Sequence, residues 1–201
     1  QRIRLKAQFE LVKRGNLDIL IHIAENNLEP QLARIHALWA LGQMKERVSA
    51  LLISRLPFSD ELSEIRAQSA KTAGELEASS QVQTLIQLLQ DESLRVRFMA
   101  GIALGKIGDP RAFNAVTRML EENDGRDPYL RHAGVMAWLG MNDSVELNRL
   151  IDHSHLDVRL AAVVALRRLK DATVARFLKD EHPFVRHLSL IHISEPTRRT
   201  P

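Results

Sequence analysis

Seven arginines stand at near-regular intervals along the 201-residue chain: Arg4, Arg34, Arg66, Arg97, Arg131, Arg159 and Arg186, spaced 30, 32, 31, 34, 28 and 27 residues apart. A guanidinium repeated once per structural unit suits either of two chemistries. A row of them could hold the phosphates of a polyanion, or each could take a carboxylate of the chain itself in a bidentate pair. Asp60, Asp91 and Asp180 each stand six residues before an arginine. Acids therefore recur with the bases, and the arginines are assigned as structural residues of a repeat.

The histidines offer less. His153 and His155 form a His-x-His pair in a turn, but a catalytic zinc usually takes about three protein ligands and no His-Glu-x-x-His is present. His36, His132 and His187 follow a repeat arginine by one or two places. They could line a shared groove, although a polar position on a helix accounts for them equally well. Trp39 and Trp138 are read as core residues, and Arg167-Arg168-Leu169-Lys170-Asp171 as a solvated helix end whose cations complement the macrodipole. No nucleophile elbow, glycine-rich phosphate loop or carboxylate pair at catalytic spacing is present. We assign no catalytic residue, no metal site and no cofactor, and read the segment as non-enzymatic. The chain has no cysteine, which removes disulfides, thiolate ligands and covalent haem attachment.

The arginines mark a register that extends to three further columns. Before them stand Ile3, Ala33, Ile65, Val96, Leu130, Val158 and Val185, all apolar. Three places after the first six stand Ala7, Ala37, Ser69, Ala100, Gly134 and Ala162, all small. Seven places after stand Leu11, Leu41, Ala73, Leu104, Trp138 and Leu166, on the same helical face. Between origins lies a second apolar-periodic run, such as Val82, Leu85, Ile86, Leu88 and Leu89. Each unit is then a helix pair, the arginine helix first and its shorter partner after it. The clearest unit runs from Asp91 and stops at Gly108-Asp109-Pro110. The first helix, near Ile3 to Arg14, ends at Gly15-Asn16, and its partner runs from about Leu17 to Glu25. Pro30 suits the first turn of the next long helix, and its partner is placed from Val48 to Leu56. The third long helix, about Leu62 to Leu76, is the weakest copy, since Ser69 and Ala73 replace the usual Ala and Leu; looser packing is expected there. The polar run from Asn123 to Pro128 is expected to be a flexible loop.

An Asp-rich turn, Val-Arg, a small residue and an Ala-Leu-Gly ending resemble HEAT repeats, particularly the short phycobilisome-lyase-like kind, over about residues 1–187. The resemblance implies an all-α, right-handed α-solenoid of about six helix-pair repeats plus a truncated seventh. A narrower resemblance rests on Ala7-Gln8-Phe9-Glu10-Leu11-Val12-Lys13-Arg14-Gly15, Ala33-Arg34-Ile35-His36-Ala37-Leu38-Trp39-Ala40-Leu41-Gly42 and Asp127-Pro128-Tyr129-Leu130-Arg131-His132-Ala133. These segments are similar to the HEAT region of large bacterial membrane-bound dehydrogenases. There a sugar-dehydrogenase-like propeller precedes the repeats and a haem-binding cytochrome c domain follows them, which implies an exported or periplasmic parent. The expected function is a scaffold or protein-interaction segment whose partners are proteins or neighbouring domains of the same chain. The alternatives are a chromophore-binding accessory protein resembling the phycobilin lyases, and a DNA-binding HEAT solenoid.

Composition agrees with a thin-layered array: 45% hydrophobic but 4% aromatic, since stacked helix pairs are filled by Ala, Leu, Ile and Val. A formal charge of +3 from 28 basic and 25 acidic residues, spread along the chain, gives no basic patch of the kind that binds nucleic acid. No stretch approaches eighteen consecutive apolar residues, so no direct membrane insertion by this segment is expected. The chain begins at Gln1, already in repeat register, and the start is read as cut. At the other end, Leu188-Ser189-Leu190-Ile191-His192-Ile193-Ser194-Glu195-Pro196-Thr197-Arg198 resembles the translation of a transposase adapter used in preparing DNA sequencing libraries. Residues 188–201 are accordingly read as foreign to the gene, and 1–187 as the solenoid. Deletion after His187 is expected to lower the melting temperature by less than about two degrees, well inside the shift that about 1 kcal/mol produces; a scanning calorimetry trace with a larger loss would show that the tail belongs to the fold.

Overall fold

The computed structural model describes residues 2–194, with the side chains of residues 3–190. Among these residues every regular element is a helix. Long helices alternate with short ones: α1 Arg2–Arg14, α2 Leu17–Glu25, α3 Gln31–Gly42, α4 Ala50–Ile53, α5 Ser63–Glu75, α6 Val82–Leu88, α7 Leu94–Ile107, α8 Phe113–Asn123, α9 Pro128–Met141, α10 Ser144–Arg149, α11 Leu156–Leu169 and α12 Pro183–Ser194. A 3-10 stretch, Ala172–Lys179, takes the place of a short helix before α12. The odd-numbered helices from α1 to α11, with α12, form one layer in which each long helix lies on the next, and the short helices cover its other side. The fold is an α-solenoid.

The pairing within a repeat differs from the expectation. The short helices α2, α6, α8 and α10 pack chiefly on the long helix that follows, α3, α7, α9 and α11. The Asp-bearing turn therefore lies inside a pair, and α1 is an unpaired long helix at the start of the array. The three sequence columns are unchanged by this shift; only the unit boundary moves.

Local signals place most helix ends. α7 stops at Gly108, which takes the left-handed conformation at φ 72° and donates to Leu104 O at 2.9 Å, as a glycine C-cap does. α9 starts on Asp127, whose carboxylate accepts from Tyr129 N at 2.7 Å, with Pro128 at the first helical position. Pro30, by contrast, sits just outside α3 as its N-cap. The helix placed from Val48 to Leu56 is only α4, Ala50–Ile53. Pro57 disfavours the helical state in the residue before it, and the chain turns there to bury Leu56 and Phe58 in the core.

Two further expectations are corrected. The third long helix, α5, is not loosely packed: every residue from Ile65 to Ala70, then Thr72 to Gly74, is buried. Ser69 fits because its hydroxyl donates to Ile65 O at 2.8 Å, and Thr72 donates across to Leu38 O at 3.1 Å, so the polar atoms in this helix are satisfied internally. The segment after α8 is a hydrogen-bonded turn organised by one buried side chain. Asn123 donates through Nδ2 to Asp127 O at 3.0 Å, accepts from Asp127 N at 3.0 Å, and reaches Asp157 at 3.1 Å.

The small column does a different job from long-helix contact. A Cβ on Gly134 would meet the Leu120 side chain at 2.8 Å, so this column admits the short helix of its own pair. The long helices approach each other through a second small set near their C-termini. A Cβ on Gly74 would lie 2.7 Å from Ala103 Cα, one on Gly105 2.5 Å from Met136 O, and one on Gly140 1.7 Å from Gly105 O. Backbone touches backbone there.

α12 continues through residues 188–194, with Leu188 against the core and Ser189 buried. The remainder of the tail read as foreign, residues 195–201, lies outside the described residues.

Ala100 is fully buried whereas Gln87 is exposed. Ala100→Leu is expected to cost about 1–3 kcal/mol through overpacking, with Gln87→Leu close to neutral, and Gly105→Ala is expected to destabilise at least as much as Ala100→Leu. Denaturant melts of the three variants check this, and equal midpoints for Ala100→Leu and Gln87→Leu would show that the column is not packed.

Candidate functional site

The first turn of each long helix carries the repeat arginine, and consecutive turns lie one above the other along one edge of the array. Asp60, Asp91 and Asp180 each act in two directions, and Asp60 and Asp180 in a third. The carboxylate closes a turn onto the backbone N–H two residues on, Leu62 at 3.0 Å, Ser93 at 2.8 Å and His182 at 2.8 Å. It also takes the arginine of the preceding repeat, giving the pairs Arg34–Asp60, Arg66–Asp91 and Arg159–Asp180. The carbonyls of Asp60 and Asp180 meanwhile accept from the arginine of their own repeat, Arg66 Nη1 at 2.8 Å and Arg186 Nη1 at 2.6 Å. One guanidinium thus ties its own turn to the next one.

Arg66 shows the full arrangement. Nε and Nη2 donate to the two Asp91 oxygens at 2.7 and 2.8 Å, Nη2 also reaches Glu92 at 3.3 Å, and Nη1 donates to the carbonyls of Asp60 and Glu61 at 2.8 and 3.2 Å. Arg159 repeats it with Asp180, Glu181, His153 O and Ser154 O. Burial pushes the Asp91 carboxyl up, but the Arg66 hydrogen bonds, the Ser93 N–H and the Arg66 charge outweigh it and hold Asp91 below its ordinary 3.8. The Asp91 hydrogen bond holds Arg66 above its ordinary value against a smaller opposing effect of burial.

The ladder is not uniform. The position six before Arg131 is Gly125, and six before Arg159 is His153. Arg131 finds a buried substitute, Asp157, from inside the next long helix. Arg97 finds only the half-exposed Glu122, at 3.1 Å, and turns Nε to Leu89 O at 2.8 Å. Arg4 is exposed and makes no ion pair among the described residues.

The outer face of the long-helix layer is a second surface. Five places after successive arginines stand Trp39, Lys71, Ile102, Met136 and Val164, each half-buried, one per repeat. Trp39 is thus not the core residue expected. Its Nε1 donates to Gln68 at 2.7 Å, Lys71 lies over its ring at 5.5 Å and the His36 ring meets its edge. The fully buried Trp138 stacks on Phe113 at 5.4 Å, as a core residue should. Charges border the stripe: Arg95 bonds Glu64 at 3.0 Å, and Lys71 pairs with Glu75 at 3.2 Å. The sequence columns were defined by what is buried, so they do not include this stripe; the column five places after each arginine carries it.

The histidines do not converge. His36 accepts or donates at Gln8 at 2.7 Å and burial, with Arg4 nearby, holds its pKa below 6.5. His132 and His187 are exposed on different repeats. His153 faces Glu121 at 3.0 Å, with the His155 ring 5.8 Å away. Among the described residues no three His, Cys, Asp or Glu side chains gather as a metal site, and no helix is long and apolar enough to cross a membrane.

Ladder, helix pairs and layering define the class, an α-solenoid. The family model described as HEAT repeats matches residues 49–139, from the start of α4 through α9. Among solved structures the chain is similar to the complex of CpcE and CpcF of phycocyanin lyase from Nostoc sp. PCC7120, with 19% identity, 88% of this chain and 75% of that chain covered, and a TM-score of 0.61. A second structure, human deoxyhypusine hydroxylase in complex with glycerol, aligns at 21% identity over 90% of this chain and 73% of that one, with a TM-score of 0.47. At these identities the lyase likeness is one of fold. No curated protein matches the sequence.

Removing Arg66 strands Asp91, whose side chain is 9% exposed. Arg66→Ala is expected to cost about 3 kcal/mol, and Arg97→Ala, with its exposed acid, nearer 1 kcal/mol; urea midpoints compare them. Because the Asp91 pKa is depressed in the fold, its contribution is complete above the ordinary carboxylate value and is lost as pH falls below it through the folded value. Asp91→Asn should therefore be less stable at neutral pH but lose less on acidification, as pH-dependent melts would record.

Proposed function

We propose that this array is a protein-interaction scaffold that binds through the outer face of its long helices. The observation that carries the reading is the stripe Trp39, Lys71, Ile102, Met136 and Val164, one half-exposed side chain per repeat. Such a row presents apolar and amphipathic side chains at the helix-to-helix spacing, with ion pairs on both sides to fix a partner's register. The layer beneath is stiff because its backbones touch. A surface of this kind binds an extended or helical partner without paying to order itself.

The repeat arginines support the scaffold in this reading and take no part in binding at this face, since Arg34, Arg66 and Arg159 spend their donors on the chain's own acids and carbonyls. We further infer, from the segments around Phe9, Trp39 and Tyr129, that the parent is an exported dehydrogenase in which the array sets the separation of a propeller domain and a haem domain. A stacked solenoid holds two domains apart more rigidly than a disordered linker of equal length. Residues 188–201 are proposed not to belong to that parent. The neighbouring genomic sequence is the test of the parent: a propeller upstream and a Cys-x-x-Cys-His motif downstream support it, and a reading frame that closes without either overturns it.

For the binding face, Ile102→Asp combined with Met136→Asp is expected to weaken association with separately expressed flanking domains by about tenfold or more. Gln83→Asp with Gln87→Asp, on the short-helix side, should leave it unchanged. Equal losses in a titration calorimetry comparison would remove the stripe as the interaction surface.

A further inference from the structure

The gap in the arginine ladder is also the place where the edge of the array opens. Between the first turns of α7 and α9 lies an open cleft of about 490 Å³, bounded by Leu94, Arg97, Glu122, Arg126, Pro128 and Tyr129. Three observations meet there. Arg97 has lost the turn aspartate that its equivalents use, because Gly125 stands in that position. Its Nη1 has no partner among the described residues, and its Nη2 holds only the exposed Glu122. Tyr129 and Leu94 stand well out of the surface, 71% and 51% exposed, with the Tyr129 ring set edge-on to Phe98 at 6.4 Å.

The other repeats show what belongs against such an arginine. Asp60, Asp91 and Asp180 each bring a carboxylate carried in a turn to the guanidinium of the preceding repeat. We propose that the cleft takes the same ligand from outside: an aspartate or glutamate of a partner protein, displacing Glu122 from Arg97, with an apolar neighbour seated on Leu94 and Tyr129. The proposal rests on the protein-interaction reading but uses a different surface from the stripe, at the turn edge of the array. Arg126 lies at the rim, with Nε on Asn123 O at 3.1 Å, and adds a second positive charge for the incoming carboxylate. Arg97 presents a planar fork, so a bidentate carboxylate is favoured over a monodentate one.

The test uses the full chain and the acetylated, amidated peptide Ala-Leu-Asp-Leu-Ala, with Ala-Leu-Asn-Leu-Ala as its isosteric control, titrated by Tyr129-region NMR shifts. The aspartate peptide is expected to bind with a Kd tighter than about 1 mM and the asparagine peptide not to. Arg97→Gln should weaken binding about tenfold or more, the worth of a charge-assisted hydrogen bond. Glu122→Gln, an exposed change that removes the competing acid, should strengthen it by roughly twofold to fivefold. That opposite sign separates recognition from misfolding, and it stands if Arg97→Gln does not fold. Equal binding of the two peptides, no binding by about 1 mM, or weaker binding in Glu122→Gln would each overturn the proposal. So would inorganic phosphate that binds at this cleft while the aspartate peptide does not. Ile102→Asp with Met136→Asp should leave peptide binding intact, so the cleft and the stripe can fail separately.

Discussion

A guanidinium can be taken almost entirely out of water only where fixed acceptors meet its donors, and the turn edge of this solenoid is built to supply them. Arg34 has a side chain 1% exposed, and Arg66 and Arg159 are nearly as deep. Their acceptors come from two sources, backbone carbonyls that precede their own helix and a carboxylate of the next turn. That division of labour makes each pair a joint between repeats. An array in which units touch only their neighbours depends on the quality of such joints, and leaving a buried charge unpaired costs far more than an exposed pair contributes.

The other end of the long helices is held by contact rather than charge. Gly105 and Gly140 bring two backbones together so closely that neither position has room for a methyl group. Between α5 and α7 the Arg66–Asp91 joint fixes one end and the approach of Gly74 to Ala103 the other, so the rotation between these neighbours is constrained at both. The short helices add burial, through Leu85, Val116 and Leu120, but the short helix varies from four residues in α4 to eleven in α8. Tolerance on that side and uniformity on the long-helix side point to the same division: one layer carries the geometry and the other closes the core.

Irregularities matter because the rule is so regular. Where the turn aspartate is missing before Arg159, Asp157 replaces it from a new position, and Asn123 ties the altered turn together. Where it is missing before Arg131, no buried acid replaces it, and the surface opens beside Arg97. A departure that is left open in one repeat and repaired in the next is a local feature of the sequence, and it separates this edge from the long-helix face.

The sequence by itself determined the helical class, the repeat length and the buried columns, because periodicity and small residues report which face a helix buries. It determined that arginines and aspartates recur together, and some helix ends, as at Gly15 and Gly108. It did not determine which helices pair, since a periodic string has no marked start and either neighbour fits the same columns. It misjudged α5, where internal hydrogen bonds of Ser69 and Thr72 replace the missing bulk, and Trp39, whose apolar surroundings hide a position at the layer's surface. Only the tertiary structure decided that each aspartate serves the arginine of the preceding repeat: the two residues lie 21 to 26 places apart, and which turn stands over which is fixed by the stacking of whole helices, not by any local signal.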